Sequence, residues 1–173
     1  VHGGVEGTHT ARVLPRARAR NGRSHGASRV AKRIIMRSLS PTTQDSCAFY
    51  FISADRIRSW DSEKTSLPEF QDLRRDGGWI EQKTISQFGA FTGEYQREYL
   101  AVSHRWESPD APDTEGVQLQ SVRKYLTNHR DVKYVWYDYC TMPQGQRTQA
   151  EQVEFKRMLY HMDLLFIGCS VLA

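Results

Sequence analysis

The pattern of apolar and polar positions is clearest in the second half of the chain. "EYLAVSH" (98–104) is a short, consecutively apolar run that reads as a strand. "VQLQSVRKYLTNH" (117–129) then places Val117, Leu119, Val122, Tyr125 and Leu126 largely on one helical face. "VKYVWYDYC" (132–140) reads as a second strand. "QAEQVEFKRMLYHM" (149–162) sets Val153, Phe155, Met158, Leu159 and Met162 along one side of a second helix. "LLFIGCSVLA" (164–173) reads as a third strand, apolar throughout. Strands without alternation imply burial on both faces, so this β-α-β-α-β order predicts an α/β fold. The expected sheet is mainly parallel, flanked by helices and joined by right-handed crossovers.

The first half is less regular. "CAFYFISA" (47–54) has the aromatic and β-branched content of a strand, and "DRIRSW" (55–60) reads as a short helical turn. "SLPEFQDLRR" (66–75) reads as a helix, with Ser66 as N-cap, Pro68 in the first turn and Gly77-Gly78 closing it. "GWIEQKTISQF" (78–88) reads as extended. Three regions result: a basic disordered leader over 1–37, a mixed α/β subregion over 38–97, and a core over 98–173. The core stops inside an apolar run, so the domain is expected to be incomplete at its C-terminal end.

The chain has 173 residues, 39% apolar and 25% charged, which suits one globular domain. Its net charge of +4 is unevenly distributed. Residues 1–37 hold nine Lys/Arg against the single acidic Glu6, a net +8, whereas the other 136 residues carry 15 basic and 19 acidic side chains, a net −4. A nucleic-acid partner is therefore disfavoured for the folded part, which lacks a basic excess. The Arg-rich, acid-poor leader fits an organelle transit peptide, and equally an open-frame extension upstream of the first methionine, Met36. No apolar run reaches the roughly 18–20 residues that span a bilayer. Three widely spaced cysteines, Cys47, Cys140 and Cys169, form neither a disulfide framework nor a zinc signature, and point to a reducing, cytoplasmic setting.

Candidate chemistry falls where strands end. In an open parallel sheet, ligands bind at the carboxyl ends of the strands. The first core strand delivers Ser103, His104, Arg105, Trp106 and Glu107 there. The second delivers Asp138, Tyr139 and Cys140, followed by "TMPQGQR" with Gln144 and Arg147. Each has a plain alternative: Ser103 caps a turn, His104 is a satisfied structural histidine, Trp106 roofs the core, and Arg105 pairs with Glu107 or Asp138. Asp138 is the hardest to dismiss, because a buried carboxylate must be paired or shifted in pKa. Gln144 and Arg147 either contact a ligand or lie in a solvated loop. Ser103 and His104 point to opposite faces of a strand, which argues against a Ser–His nucleophile pair. No glycine-rich phosphate loop, nucleophile elbow or metal-like His spacing is present in the sequence.

"YLAVSHRW" (99–106) and "VWYDYCTMPQ" (135–144), each followed by a helix, resemble the fungal heterokaryon-incompatibility (HET) domain. Ser103, Trp106, Trp136, Asp138 and Gln144 occupy the matching places, over about residues 98–170. His104 departs from the usual Tyr, Cys140 is shifted by one position, and "MPQ" replaces a Cys-Ile-Asn-Gln-like run. The resemblance implies a fold similar to Toll/interleukin-receptor (TIR) domains, a flavodoxin-like sheet. It also implies an intracellular signalling role, either through a nucleotide-type pocket built from Ser103, Arg105, Trp106, Asp138 and Gln144 or through non-catalytic protein–protein interaction, by self-association or with another signalling protein. Some TIR domains hydrolyse the N-glycosidic bond of NAD with a glutamate that would fall beyond Ala173 here. NAD would then be a substrate, no cofactor or metal is expected, and no catalytic residue is assigned.

Overall fold

Strand β1 (Ser46–Ser53) shows how alternation and packing build the sheet. Cys47, Phe49 and Phe51 are buried on one side of it, Ile52 and the following Ala54 on the other. The computed structural model describes residues 45–61, 66–103 and 113–173. The leader over 1–37 therefore lies outside the described residues. After β1 come α1 (Ala54–Arg58), α2 (Phe70–Asp76), β2 (Ile80–Ser86), α3 (Gln87–Thr92) and β3 (Tyr99–Val102). The chain continues with α4 (Val117–Asn128), β4 (Tyr134–Tyr137), the one-turn α5 (Asp138–Thr141), α6 (Gln149–Tyr160), α7 (Asp163–Gly168) and β5 (Ser170–Leu172).

The sheet is five-stranded, in the order β2-β1-β4-β3-β5. It is mixed, which corrects the expectation of a mainly parallel sheet. β4, β3 and β5 run parallel, whereas β1 is antiparallel to both β2 and β4. The reason lies in the connections. A β-α-β crossover returns the chain to the same edge of the sheet, whereas β1 reaches β2 through two short helices that leave it running back alongside.

Strands β3 and β4 are buried on both faces. Leu100 and Val102 of β3, with Val135 and Tyr137 of β4, join Leu119, Val122 and Leu126 of α4 and Ile57 of α1. Ala101 and Trp136 point the other way, to Ala90 of α3, Met158 of α6, and Leu164 and Leu165 of α7. The connection from β3 to β4 thus covers one face and that from β4 to β5 the other, as two crossovers of one hand running in opposite directions across the sheet require.

Four local readings are corrected. The run 164–173 is not one strand: Asp163–Gly168 is helix α7 and only Ser170–Leu172 pairs with β3. A short apolar run has no period that separates a buried helix from a buried strand. Gly168 shows why a helix fits, because a Cβ there would lie 2.8 Å from the Cβ of Ala90, so its absence lets α7 and α3 pack closely. Helix α2 begins at Phe70 with Glu69 in the N-cap position, later than Ser66 suggested. In α6 only Met158 is buried, while Val153 and Leu159 are 65% and 49% exposed. β4 ends at Tyr137, so Asp138 and Cys140 belong to the one-turn helix rather than to a strand.

Candidate functional site

β3 and β4 lie side by side in the same direction, and their last registered pair is Val102 with Tyr137. Ser103 and Asp138 follow immediately, so both emerge at one edge of the sheet. On its other side β3 neighbours β5, and the Ser103 N–H donates to the Leu172 carbonyl at 2.8 Å. The connection after β3 runs over one face of the sheet and that after β4 over the other, so the crevice between the carboxyl ends of β3 and β4 is a topological switch point, where open α/β sheets place ligands.

Ser103 is exposed at the rim. His104, Arg105, Trp106 and Glu107 lie outside the described residues. Asp138 opens α5 and is half-buried, which replaces the expectation of a buried carboxylate. Its Oδ1 accepts from the Tyr139 N–H at 2.7 Å. Thr141, fully buried, ties the turn to the strand: its Oγ1 donates to the Tyr137 carbonyl at 2.9 Å and accepts from the Tyr137 N–H at 3.2 Å.

Gln144 is taken up by the local fold. Its Nε2 donates to the carbonyls of Asp138 (3.0 Å), which also accepts the Met142 N–H at 2.9 Å, and of Met142 (2.9 Å), at the end of the one-turn helix. The Gln71 side chain of α2 in turn clamps the Gln144 backbone, donating to its carbonyl at 2.6 Å and accepting from its N–H at 3.2 Å. Arg147 donates to the Pro143 carbonyl at 2.7 Å and stacks 3.8 Å above the Phe155 ring. The loop after β4 is thereby a braced wall of the rim.

Asp113 is a rim residue that the sequence reading passed over. Only 4% exposed, it receives the Gln118 N–H on Oδ1 at 3.1 Å and the Leu119 N–H on Oδ2 at 2.8 Å. Gly116, in the N-cap position of α4, has no side chain to do this. The carboxylate fills the electropositive first turn of α4, so a phosphate approaching there would meet negative charge. Asp-x-x-Gly ahead of a periodic helix was the available signal. Tyr137 also reaches α4, its hydroxyl donating to Gln118 Oε1 at 3.3 Å.

The cysteines are chemically quiet. All three are free and buried, and burial pushes the Cys169 thiol up to about 12 and Cys140 well above its ordinary value. Cys47 is also raised by burial, against an opposing pull from Arg157. Thiols held protonated are poor nucleophiles. Among the described residues no cluster of three His, Cys, Asp or Glu side chains has metal-binding geometry, and no helix is long and apolar enough to cross a membrane.

A concavity of about 520 Å³ lies between α6, α2 and the β1–β2 pair. Its carboxylates are already engaged. Glu154 accepts from Tyr50 at 2.7 Å and pairs with Arg74 at 3.3 Å, and Glu151 closes a capping box with Thr148. No family model matches the chain, and no curated protein or solved structure matches it.

Proposed function

We propose that the protein is a HET/TIR-like intracellular signalling module that binds a nucleotide-type ligand at the rim over β3, β4 and β5. The observation that carries this reading is the switch point between the parallel strands β3 and β4, where Ser103 and Asp138 emerge together. Ser103 and Asp138 both belong to the sequence motifs that resemble the HET domain.

The rim's charge refines the reading. Asp113 and Asp138 make the described part of it acidic, and Asp113 already occupies the first turn of α4. Phosphate recognition therefore falls to Arg105, whose planar fork suits it. In this reading the Asp138 carboxylate accepts from a ribose hydroxyl, and Trp106 supplies an aromatic face for a base. The braced Gln144 loop sets the depth of the site instead of contacting the ligand with its amide.

Calorimetric titration of the full chain with NAD tests this directly. Saturable binding that is lost in Arg105→Ala, with the variant's circular dichroism unchanged, is the expected result. Absence of binding by folded protein, or binding indifferent to Arg105→Ala, would sink the proposal.

A further inference from the structure

Strand β2 is an edge of the sheet, and the hydrogen-bond parity of its neighbour fixes which of its backbone groups face outward. The Ser53 N–H donates to the Trp79 carbonyl at 3.3 Å, and these residues stand opposite each other in the continued β1–β2 register. On the other side of β1, the Ala54 N–H donates to Lys133 at 2.8 Å. Odd-numbered residues of β1 therefore bond toward β2 and even-numbered ones toward β4. In an antiparallel ladder, residues of a hydrogen-bonded pair spend both N–H and C=O on each other. Trp79, Glu81, Lys83 and Ile85 are thus turned inward, and Ile80, Gln82, Thr84 and Ser86 outward. The outward N–H of Ser86 is satisfied by the Tyr95 hydroxyl at 3.1 Å. Ile80, Gln82 and Thr84 are left as an open template, and among the described residues no strand lies beyond them.

We propose that this edge pairs with the same edge of a second copy of the chain, antiparallel, about a two-fold axis at Gln82. In that register Gln82 meets Gln82 of the second copy, and Ile80 meets its Thr84. Every outward N–H and C=O of the three residues then finds a partner. The register also places Glu81 opposite Lys83 of the second copy, and Lys83 opposite its Glu81. These are non-hydrogen-bonded positions, where facing side chains approach most closely.

Backbone and charge thus select one register independently. A two-fold at Glu81 would oppose two carboxylates, and one at Lys83 would oppose two ammonium groups. Centres at Ile80 or Thr84 would forfeit much of the ladder. Charged residues on an edge ordinarily guard it against pairing. Here the signs alternate at a spacing of two, so a two-fold turns repulsion into complementarity. The pair is already set on one face, with Lys83 Nζ 2.7 Å from Glu81 Oε2 and 4.5 Å above the Tyr134 ring. An interface of one strand pair is small, so the dimer is weak and concentration-dependent. This inference stands independently of ligand binding at the rim.

Sedimentation velocity on the full chain, over a concentration series reaching the high micromolar range, tests it. The expected result is a monomer–dimer equilibrium whose dissociation constant rises ~10-fold or more in Lys83→Glu and in Glu81→Lys, each of which creates two like-charge contacts. The double variant Glu81→Lys/Lys83→Glu restores dimerisation, and Gln82→Pro abolishes it by removing an outward N–H that β1 does not use. Melting curves establish that each variant is folded. A wild-type chain that stays monomeric, a dimer indifferent to these substitutions, or single-variant losses that the double swap fails to rescue would each overturn the proposal.

Discussion

The side-chain amide of Gln71 grips the backbone of Gln144 from both sides, donating at 2.6 Å and accepting at 3.2 Å. This joins α2, from the irregular half of the chain, to the loop after β4. The geometry is that of a single strand pair, with a side chain standing in for one strand. Gln144 then donates with its own amide to the carbonyls of Asp138 and Met142. Gln71→Ala removes the clamp and leaves a half-buried N–H and C=O without it. A loss of about 1–2 kcal/mol in urea unfolding is expected, the usual scale for a lost pair of hydrogen bonds. An unchanged midpoint would show that the loop is held by other means.

Asp113 caps α4 at two backbone N–H groups from within a buried setting. Asp113→Ala should cost about 1–2 kcal/mol of stability, as other cap removals do. Asp113→Asn keeps an acceptor and should cost less. The alanine variant should also bind inorganic phosphate more tightly at the rim, because the first turn of α4 is then uncovered. Phosphate titration monitored by NMR of the Gln118 and Leu119 amides checks this.

Gly168 marks the tightest contact between α7 and α3. An added Cβ would stand 2.8 Å from Ala90 Cβ and 2.9 Å from its Cα, a backbone atom that cannot swing aside. Gly168→Ala should therefore destabilise the fold by about 1–3 kcal/mol, the range for overpacking, despite the better helix propensity of alanine. Thermal melts of the two proteins decide it. An equal or higher melting temperature would mean that the helices separate at no cost.

Tyr50 gives the fold an alkaline limit. Burial first, then its hydrogen bond to Glu154, raises the phenol from 10.0 to about 12. A group whose folded pKa lies above its unfolded value stabilises the fold while protonated. That contribution is whole below pH 10 and disappears as pH rises toward 12. Lys83, raised from 10.5 to about 12 chiefly by its bond to Glu81, acts over the same window in the same direction. Melting temperature should fall across this range, less steeply in Tyr50→Phe. An identical pH profile in that variant would remove Tyr50 from the account.

How far the sequence could be read depended on period and on partners. Helices α4 and α6 carried a 3.6-residue repeat, and β1, β3 and β4 were apolar on both faces, so these five elements were visible. Helix α7 was not, because its six residues are too few to display a period and run on into the apolar stretch that forms β5. The antiparallel half of the sheet was hidden for another reason: "IEQKTIS" is an edge strand with one buried side chain, Ile85, and nothing in it states which neighbour it joins. At the rim, the emergence of Ser103 and Asp138 together followed from strand order. The engagement of Gln144 did not, because its partner Gln71 lies 73 positions away. Asp113 was missed because it lies in a Pro-, Asp- and Gly-rich segment without apolar periodicity, ahead of a helix whose own N-cap position is a glycine.

The account turns on where a ligand sits. An NMR titration of the isotopically labelled chain with NAD addresses this most directly, by mapping which backbone amides move. Shifts concentrated at Ser103, Gln118, Asp138 and Tyr139, at the ends of β3 and β4, are the predicted result. Shifts confined to the groove beneath α6, at Ala150, Val153 and Met158, or no shifts at all, would contradict it.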